Sequence, residues 1–142
     1  MAAFNKFQDF SEQLARATHN FNQHTFKVLL TNTSPVASLN QKSSVVEVTP
    51  SDGHPVGGLA TQISLSEVDG VTTVSGTQVV FTATGAEIGP FRYAVLYNST
   101  TTNPLGALIG WWDYASAITL NESETLTVKF SNASPGAIFT LS

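Results

Sequence analysis

The chain has 142 residues, of which 42% are hydrophobic and only 11% are charged, and its formal net charge at pH 7 is −4. A chain of this length can bury a core of its own, and its apolar content excludes an intrinsically disordered protein. Its six Lys and Arg residues stand singly, and it has no cysteine. Nucleic-acid binding through a basic cluster, disulfide bonds and thiol chemistry are therefore excluded.

The first 21 residues carry apolar side chains at the spacing of a helix. These side chains recur at steps of three and four residues: Phe4, Phe7, Phe10, Leu14, Ala17 and Phe21. The pattern predicts an amphipathic helix with phenylalanines on one face, and a proline at Gln8 should break it. We expect residues 1–24 to be an N-terminal helix or arm that packs on the chain's own sheet or on a partner.

From Thr25 onward the apolar period changes to two, which is typical of β-strands. The segments with this period are 25–31, 59–65, 71–74, 78–84, 91–97, 107–114, 125–130 and 137–141. Asp69-Gly70 indicates a hairpin turn, and the Pro- and Gly-rich segment 50–58 indicates a loop. The predicted fold class is mainly β, with residues 25–142 forming an antiparallel β-sandwich of about seven to eight strands behind the amphipathic N-terminal helix.

Two adjacent tryptophans, Trp111 and Trp112, stand in one of these strands. Neighbouring side chains of a strand point to opposite faces of the sheet, so both indoles cannot enter the same core. We expect Trp112 to lie in the core. Trp111 then faces the other side and needs a cover, because a large apolar surface is rarely left in water.

The segments 91–97 and 108–114 are predicted to form an antiparallel pair joined by the polar loop 98–107. Good cross-strand partners result if the numbers of paired residues add up to 205. The pairs on one face are then Arg92–Asp113, Ala94–Trp111 and Leu96–Ile109. The other face is more aromatic, because Tyr93, Trp112 and Tyr97 lie on it, and it is assigned to the core.

The face that carries Trp111 is too apolar for solvent, so it is predicted to bind the N-terminal phenylalanines or a neighbouring subunit. The candidate interface residues are Phe4, Phe7, Phe10, Leu96, Ile109 and Trp111.

Residues that could carry chemistry are few and scattered. The three histidines, His19, His24 and His54, do not have the spacing of convergent zinc ligands, and we expect them to be solvated. Sequence signatures of hydrolases, phosphate-binding loops and dinucleotide sites do not occur. We therefore expect a protein that is not an enzyme, with no metal and no cofactor. No apolar run approaches the roughly 20 residues of a membrane span, so no membrane partner is expected.

Five stretches of the chain resemble one family of proteins: residues 1–10, 25–37, 88–98, 108–114 and 118–128. This family consists of small virion structural proteins of tailed double-stranded DNA bacteriophages. The resemblance is weakest over 39–56. It implies a component of the phage particle that is made in the cytoplasm of the host bacterium, and it brings no catalytic residue.

Among locations on the particle, the capsid exterior suits a small acidic β-domain with a spare apolar face. A decoration, or cement, protein there would bridge capsomers and bind the major capsid protein and copies of itself, with many modest contacts adding up on the lattice. The alternatives are a tail component, such as a tail-tip or fibre-associated protein, and a carbohydrate-binding module for adhesion.

Overall fold

The computed structural model describes residues 2–131, 133 and 135–142, so Met1 of the predicted N-terminal helix lies outside the described residues. Its elements in chain order are β1 (Asn5–Lys6), α1 (Asp9–Ala15), β2 (Phe26–Thr31), a 3₁₀ helix (Lys42–Ser44), β3 (Leu59–Thr61), β4 (Ile63–Val68), β5 (Val71–Gly76), β6 (Val79–Thr82), β7 (Ile88–Thr102), β8 (Leu105–Leu120), β9 (Thr125–Val128) and β10 (Gly136–Leu141). The predicted fold class is confirmed: the protein is mainly β and sandwich-like.

The strands form three antiparallel groups. A five-stranded sheet has the order β1-β8-β7-β2-β3, a three-stranded sheet has the order β10-β5-β4, and β6 pairs with β9. The hairpin of β7 and β8 is the centre of the larger sheet. These strands extend beyond the predicted segments and reduce the predicted loop 98–107 to the two residues 103–104.

The main core lies on one face of the five-stranded sheet. Phe26, Val28 and Leu30 alternate along β2, as predicted, and all three are fully buried in it. Trp112 is also part of this core and is 3% exposed, which confirms its predicted burial. Each buried aliphatic or aromatic side chain of this size contributes roughly 1.5–3 kcal/mol to folding.

The opposite face of the same sheet carries a second, smaller cluster. Its buried members are Phe7, Leu29, Val95, Tyr97 and Leu108. Leu39 and Val45 cover this cluster from the irregular chain between β2 and β3. This part of the chain therefore seals the second face of the sheet.

The N-terminal helix is shorter than predicted, and its phenylalanines do not share one face. Residues 5–6 form β1 and pair with β8, so Phe4 and Phe7 lie on either side of a short strand. The ring of Phe4 lies 5.4 Å from Trp112, whereas the ring of Phe7 lies 4.6 Å from Trp111 on the other face. The prediction was wrong because pairing with the exposed edge of β8 outweighs a local helical period.

Gln8 precedes α1 rather than standing inside a helix, which changes the expected effect of a proline there. Its φ of −63° suits proline, and its N–H donates to the carbonyl of Ala37 at 2.9 Å. We expect Gln8→Pro to cost one hydrogen bond, about 0.5–1.5 kcal/mol, instead of the roughly 3 kcal/mol of a broken helix. Urea denaturation would measure this against Gln8→Ala, which keeps the N–H. A loss of 3 kcal/mol relative to Gln8→Ala would contradict the short helix.

The antiparallel pairing of β7 with β8 is confirmed, but the predicted register is wrong by one residue over most of the overlap. Asp113 pairs with Tyr93 instead of Arg92, and Trp111 pairs with Val95 instead of Ala94. A bulge after Leu96 then restores the predicted alignment from Tyr97 onward. Bulges insert one unpaired residue, and a one-residue slip moves a side chain to the other face.

This slip changes the assignment of side chains to the two faces. Ala94, Leu96 and Ile109, which were predicted on the outer face, lie in the main core beside Trp112. Tyr97, which was assigned to that core, lies in the second cluster.

Candidate functional site

The predicted interface is largely buried inside the chain. Phe7, Leu96 and Ile109 are fully buried and Phe10 is 2% exposed, so these four side chains cannot contact a partner. Phe4 and Trp111 are half-buried. The predicted cover of Trp111 by the N-terminal phenylalanines does exist, but the cover is one ring, that of Phe7.

Several exposed aliphatic side chains lie on or beside the hairpin of β4 and β5, whereas others, such as Val36, Val56 and Leu105, lie elsewhere in the chain. Leu65 is 46% exposed, Val68 is 65% exposed and Val71 is 39% exposed. Leu141 of β10, which pairs with the other side of β5, is 42% exposed. By the strand register, Leu65 and Leu141 lie on one face of the three-stranded sheet and Val68 and Val71 on the other, and we call these four residues together the hairpin patch.

The sequence builds this hairpin locally. Asp69 and Gly70 have φ values of 51° and 81°. Positive φ at both central residues is the geometry of a two-residue hairpin turn between twisted strands. The predicted turn is therefore confirmed. Val68 pairs directly with Val71 across it. The carboxylate of Glu67 accepts the Gly70 N–H at 2.5 Å, so the one charged side chain of β4 is held at the turn.

β4 is an edge strand of the three-stranded sheet, and every residue from Ser64 to Val68 is exposed. An edge strand presents unpaired N–H and C=O groups that can pair with another chain. Proteins often protect such edges with lysine or proline, and the β4 sequence contains neither. The edge and the hairpin patch together are a surface suited to binding another protein.

A cleft of about 460 Å³ opens beside the end of the main core. It is lined by Ala2, Trp112, Asp113, Tyr114, Ala115, Thr127 and Lys129. Burial raises the pKa of the Tyr114 hydroxyl to about 12, so this group stays protonated and can donate a hydrogen bond. The cleft therefore combines aromatic walls with a few polar groups, as many small-ligand sites do.

The carboxylate in this cleft is held by a cation. Arg92 binds Asp113 through two hydrogen bonds, Nε to Oδ1 at 2.8 Å and Nη2 to Oδ2 at 3.1 Å. The hydrogen bond from Arg92 lowers the pKa of Asp113, and the Ala115 N–H lowers it further. The predicted ion pair is thus present, although Asp113 pairs with Tyr93 and Arg92 lies one residue before Tyr93, at an irregularity of the strand.

His19 and His54 are buried rather than solvated as predicted, and His24 is half-buried. His54 is fully buried, its Nε2 accepts the Leu30 N–H at 3.1 Å, and its ring stacks 5.2 Å from Phe81. Burial lowers its pKa, which favours the neutral ring that this acceptor role requires. The ring is needed because β3 pairs only with residues 26–28 of β2, which leaves the Leu30 N–H without a strand partner. His19 and His24 meet at Asn98 of β7.

Within the described ranges 2–131, 133 and 135–142, no three His, Cys, Asp or Glu side chains converge as metal ligands. The same ranges contain no helix that is long and apolar enough to cross a membrane. No family model, curated protein or solved structure matches the chain.

Proposed function

We propose that this chain is a non-enzymatic structural protein of a bacteriophage particle, a decoration protein on the capsid exterior. The family resemblance supplies the phage context. The observation that supports a role in protein contacts is the β4 edge with its hairpin patch, because the other large apolar surface, around Trp111, is covered by the chain itself.

The chemistry of this surface suits repeated contacts on a lattice. The free edge of β4 can add a strand through backbone hydrogen bonds, which need no particular partner sequence. The half-exposed side chains of Leu65, Val68 and Val71 then add apolar area. Each contact is modest, and the many copies on one capsid raise the effective affinity. The proposed partners are the major capsid protein and neighbouring copies of this chain.

Several groups that could carry acid–base chemistry are occupied by structural contacts, which supports action without turnover. Asp113 is bound by Arg92, and Glu47 is bound by Lys42 at 2.9 Å and by the Gly57 N–H at 2.9 Å. The two ring nitrogens of His54 are buried with the ring.

The substitution Leu65→Asp tests the hairpin patch. A charge at this exposed position should leave the free protein folded, with a change in unfolding free energy within about 0.5 kcal/mol. It should lower the number of copies per particle tenfold or more, since a loss of 1.4 kcal/mol in binding corresponds to a factor of ten. The measurement is the ratio of this chain to the major capsid protein in purified particles.

The matched control is Val80→Asp, because Val80 is 50% exposed but lies on β6, outside the hairpin. Its copy number should equal that of the unmodified protein. Equal loss in both variants would show a general effect of charge and reject the hairpin as the contact. Unmodified protein found in low copy only at the tail would reject the decoration role and favour the tail alternative.

A second candidate function, carbohydrate binding for adhesion, rests on the cleft beside Trp112. Aromatic walls with a carboxylate fixed by Arg92 could hold one sugar ring. Titration of the isolated protein with mono- and disaccharides should then shift the indole resonance of Trp112. Saturable shifts there, together with normal decoration by Leu65→Asp, would favour adhesion over the capsid role.

A further inference from the structure

Asn98 of β7 connects the sheet to the segment between α1 and β2, because its side chain contacts two histidines of that segment. The Asn98 Nδ2 atom of β7 lies 3.1 Å from Nδ1 of His19 and 2.9 Å from Nδ1 of His24. Asn98 is fully buried and His19 is 9% exposed, so the contact between them is shielded from water, whereas His24 is half-buried.

The surrounding backbone determines which atoms donate. The Thr100 N–H can only donate, and it does so to Asn98 Oδ1 at 3.0 Å. The Asn98 amide group is thereby oriented with both hydrogens of Nδ2 toward the two rings. The Asn20 N–H also donates to His24 Nδ1, at 3.2 Å. Both rings must therefore accept at Nδ1, and each must be neutral to do so.

The groups around the rings do not stabilise a positive charge. His19 lies against the rings of Phe10, Phe21 and Phe26 at 5.2, 5.7 and 6.5 Å. Around His24 the lining is uncharged, and it includes Thr18, Thr25, Gln62 and Thr100.

The charged side chains of the adjoining elements are directed elsewhere. On α1, Glu12 binds Arg16 at 2.7 Å, and Asp9 accepts from Gln13 at 3.1 Å. Lys27 follows Phe26 on β2 and so points to the opposite face of the sheet.

We propose that His19, His24 and Asn98 form an acid-sensitive clamp, which holds residues 18–24, between α1 and β2, on the sheet at neutral pH and releases them in acid. Protonation of either ring at Nδ1 would place an N–H against the N–H of Asn98 and break that hydrogen bond. Inside the aromatic pocket the new charge would have no partner.

The direction of the pH dependence follows from His19. Burial, and to a smaller extent His24, lowers its pKa from 6.5 to about 4 in the folded protein. A lowered pKa means that the clamp is fully stabilising above pH 6.5 and loses stability as the pH falls toward 4. Well below pH 4, the equilibrium constant for closing the clamp should be about 300-fold lower than at neutral pH, because each unit of this pKa shift corresponds to a factor of ten.

The test is hydrogen exchange of the full chain between pH 8 and pH 4. Release should speed exchange in residues 18–24. The amides of Leu29 and Val95, which pair across β2 and β7, should stay protected through the same range and thereby separate release from unfolding. Loss of protection in both places at one pH would overturn the proposal.

Two variants distinguish the clamp from a general packing effect. Asn98→Asp puts a carboxylate between the rings, which favours protonated histidine, so the segment should be held more firmly at pH 5 than at pH 8. His24→Gln keeps an acceptor for Asn98 but removes the electrostatic effect of His24 that lowers the pKa of His19, so release should move to higher pH. An unchanged release profile in a folded His24→Gln protein, or the same acid release in Asn98→Asp, would overturn the proposal.

Discussion

Replacing Trp112 by alanine should remove about 3–5 kcal/mol from the free energy of unfolding. The indole is 3% exposed. Its ring centre lies 5.4 Å from that of Phe4 and 5.1 Å from that of Phe130, so it connects β8 to two distant parts of the chain. Removal leaves a cavity that the central strands β7 and β8 cannot close by shifting. Against a total stability of roughly 5–15 kcal/mol, this loss would leave a marginal domain, and urea denaturation would measure it.

Trp111 provides the matched control, because it is the same residue type one position away. Its indole is half-buried and lies 4.6 Å from Phe7 on the opposite face. Trp111→Ala should cost clearly less than Trp112→Ala, because part of the lost surface already faces water. Equal losses in the two variants would contradict the assignment of Trp112 alone to the main core.

The strands could be predicted because their signal is local. The alternation of Phe26, Val28 and Leu30 reports burial on one face, and Asp69-Gly70 marks a turn whatever lies around it. The pairing register of β7 with β8 could not be predicted in the same way. It depends on bulges near Phe91 and after Leu96, and such bulges have no composition of their own in this sequence.

The N-terminal segment shows how a local period can mislead. Phe4, Phe7 and Phe10 are three residues apart, which fits both a helix and a short strand followed by a helix. The choice is decided by the edge of β8, more than 100 residues away, where Asn5 pairs with Trp111. Such a partner is invisible in a pattern of spacings.

The candidate sites were the hardest to predict because they depend on contacts between distant residues. Asn98 meets His19 across 79 positions and His24 across 74 positions. The hairpin patch is a different case, since its turn is evident from the sequence. Its exposure is not evident, because an apolar strand pattern such as the alternation of Ile63 and Leu65 normally indicates a buried face.

Gly58→Ala should destabilise the protein by about 2–5 kcal/mol, because two independent penalties meet at this position. The backbone has a φ of +79°, which costs an L side chain about 1–2 kcal/mol. An added Cβ would also lie 1.9 Å from the carbonyl oxygen of Val28, where β2 begins to pair with β3. Backbone cannot rotate away as a side chain can, so the strand itself must shift, at a further cost of about 1–3 kcal/mol.

Gly70→Ala isolates the backbone penalty. Gly70 has nearly the same φ, +81°, but a Cβ there would meet no atom within 4 Å. We expect Gly70→Ala to cost only the backbone part, about 1–2 kcal/mol, and the difference between the two variants in urea denaturation to report the collision with Val28. Since the chain before Gly58 covers the second face of the sheet, Gly58→Ala should also speed hydrogen exchange at Leu29 and Val95, and Gly70→Ala should not. Equal losses of stability in the two variants, with Leu29 still protected in both, would show that this stretch does not approach β2 as closely as the structure has it.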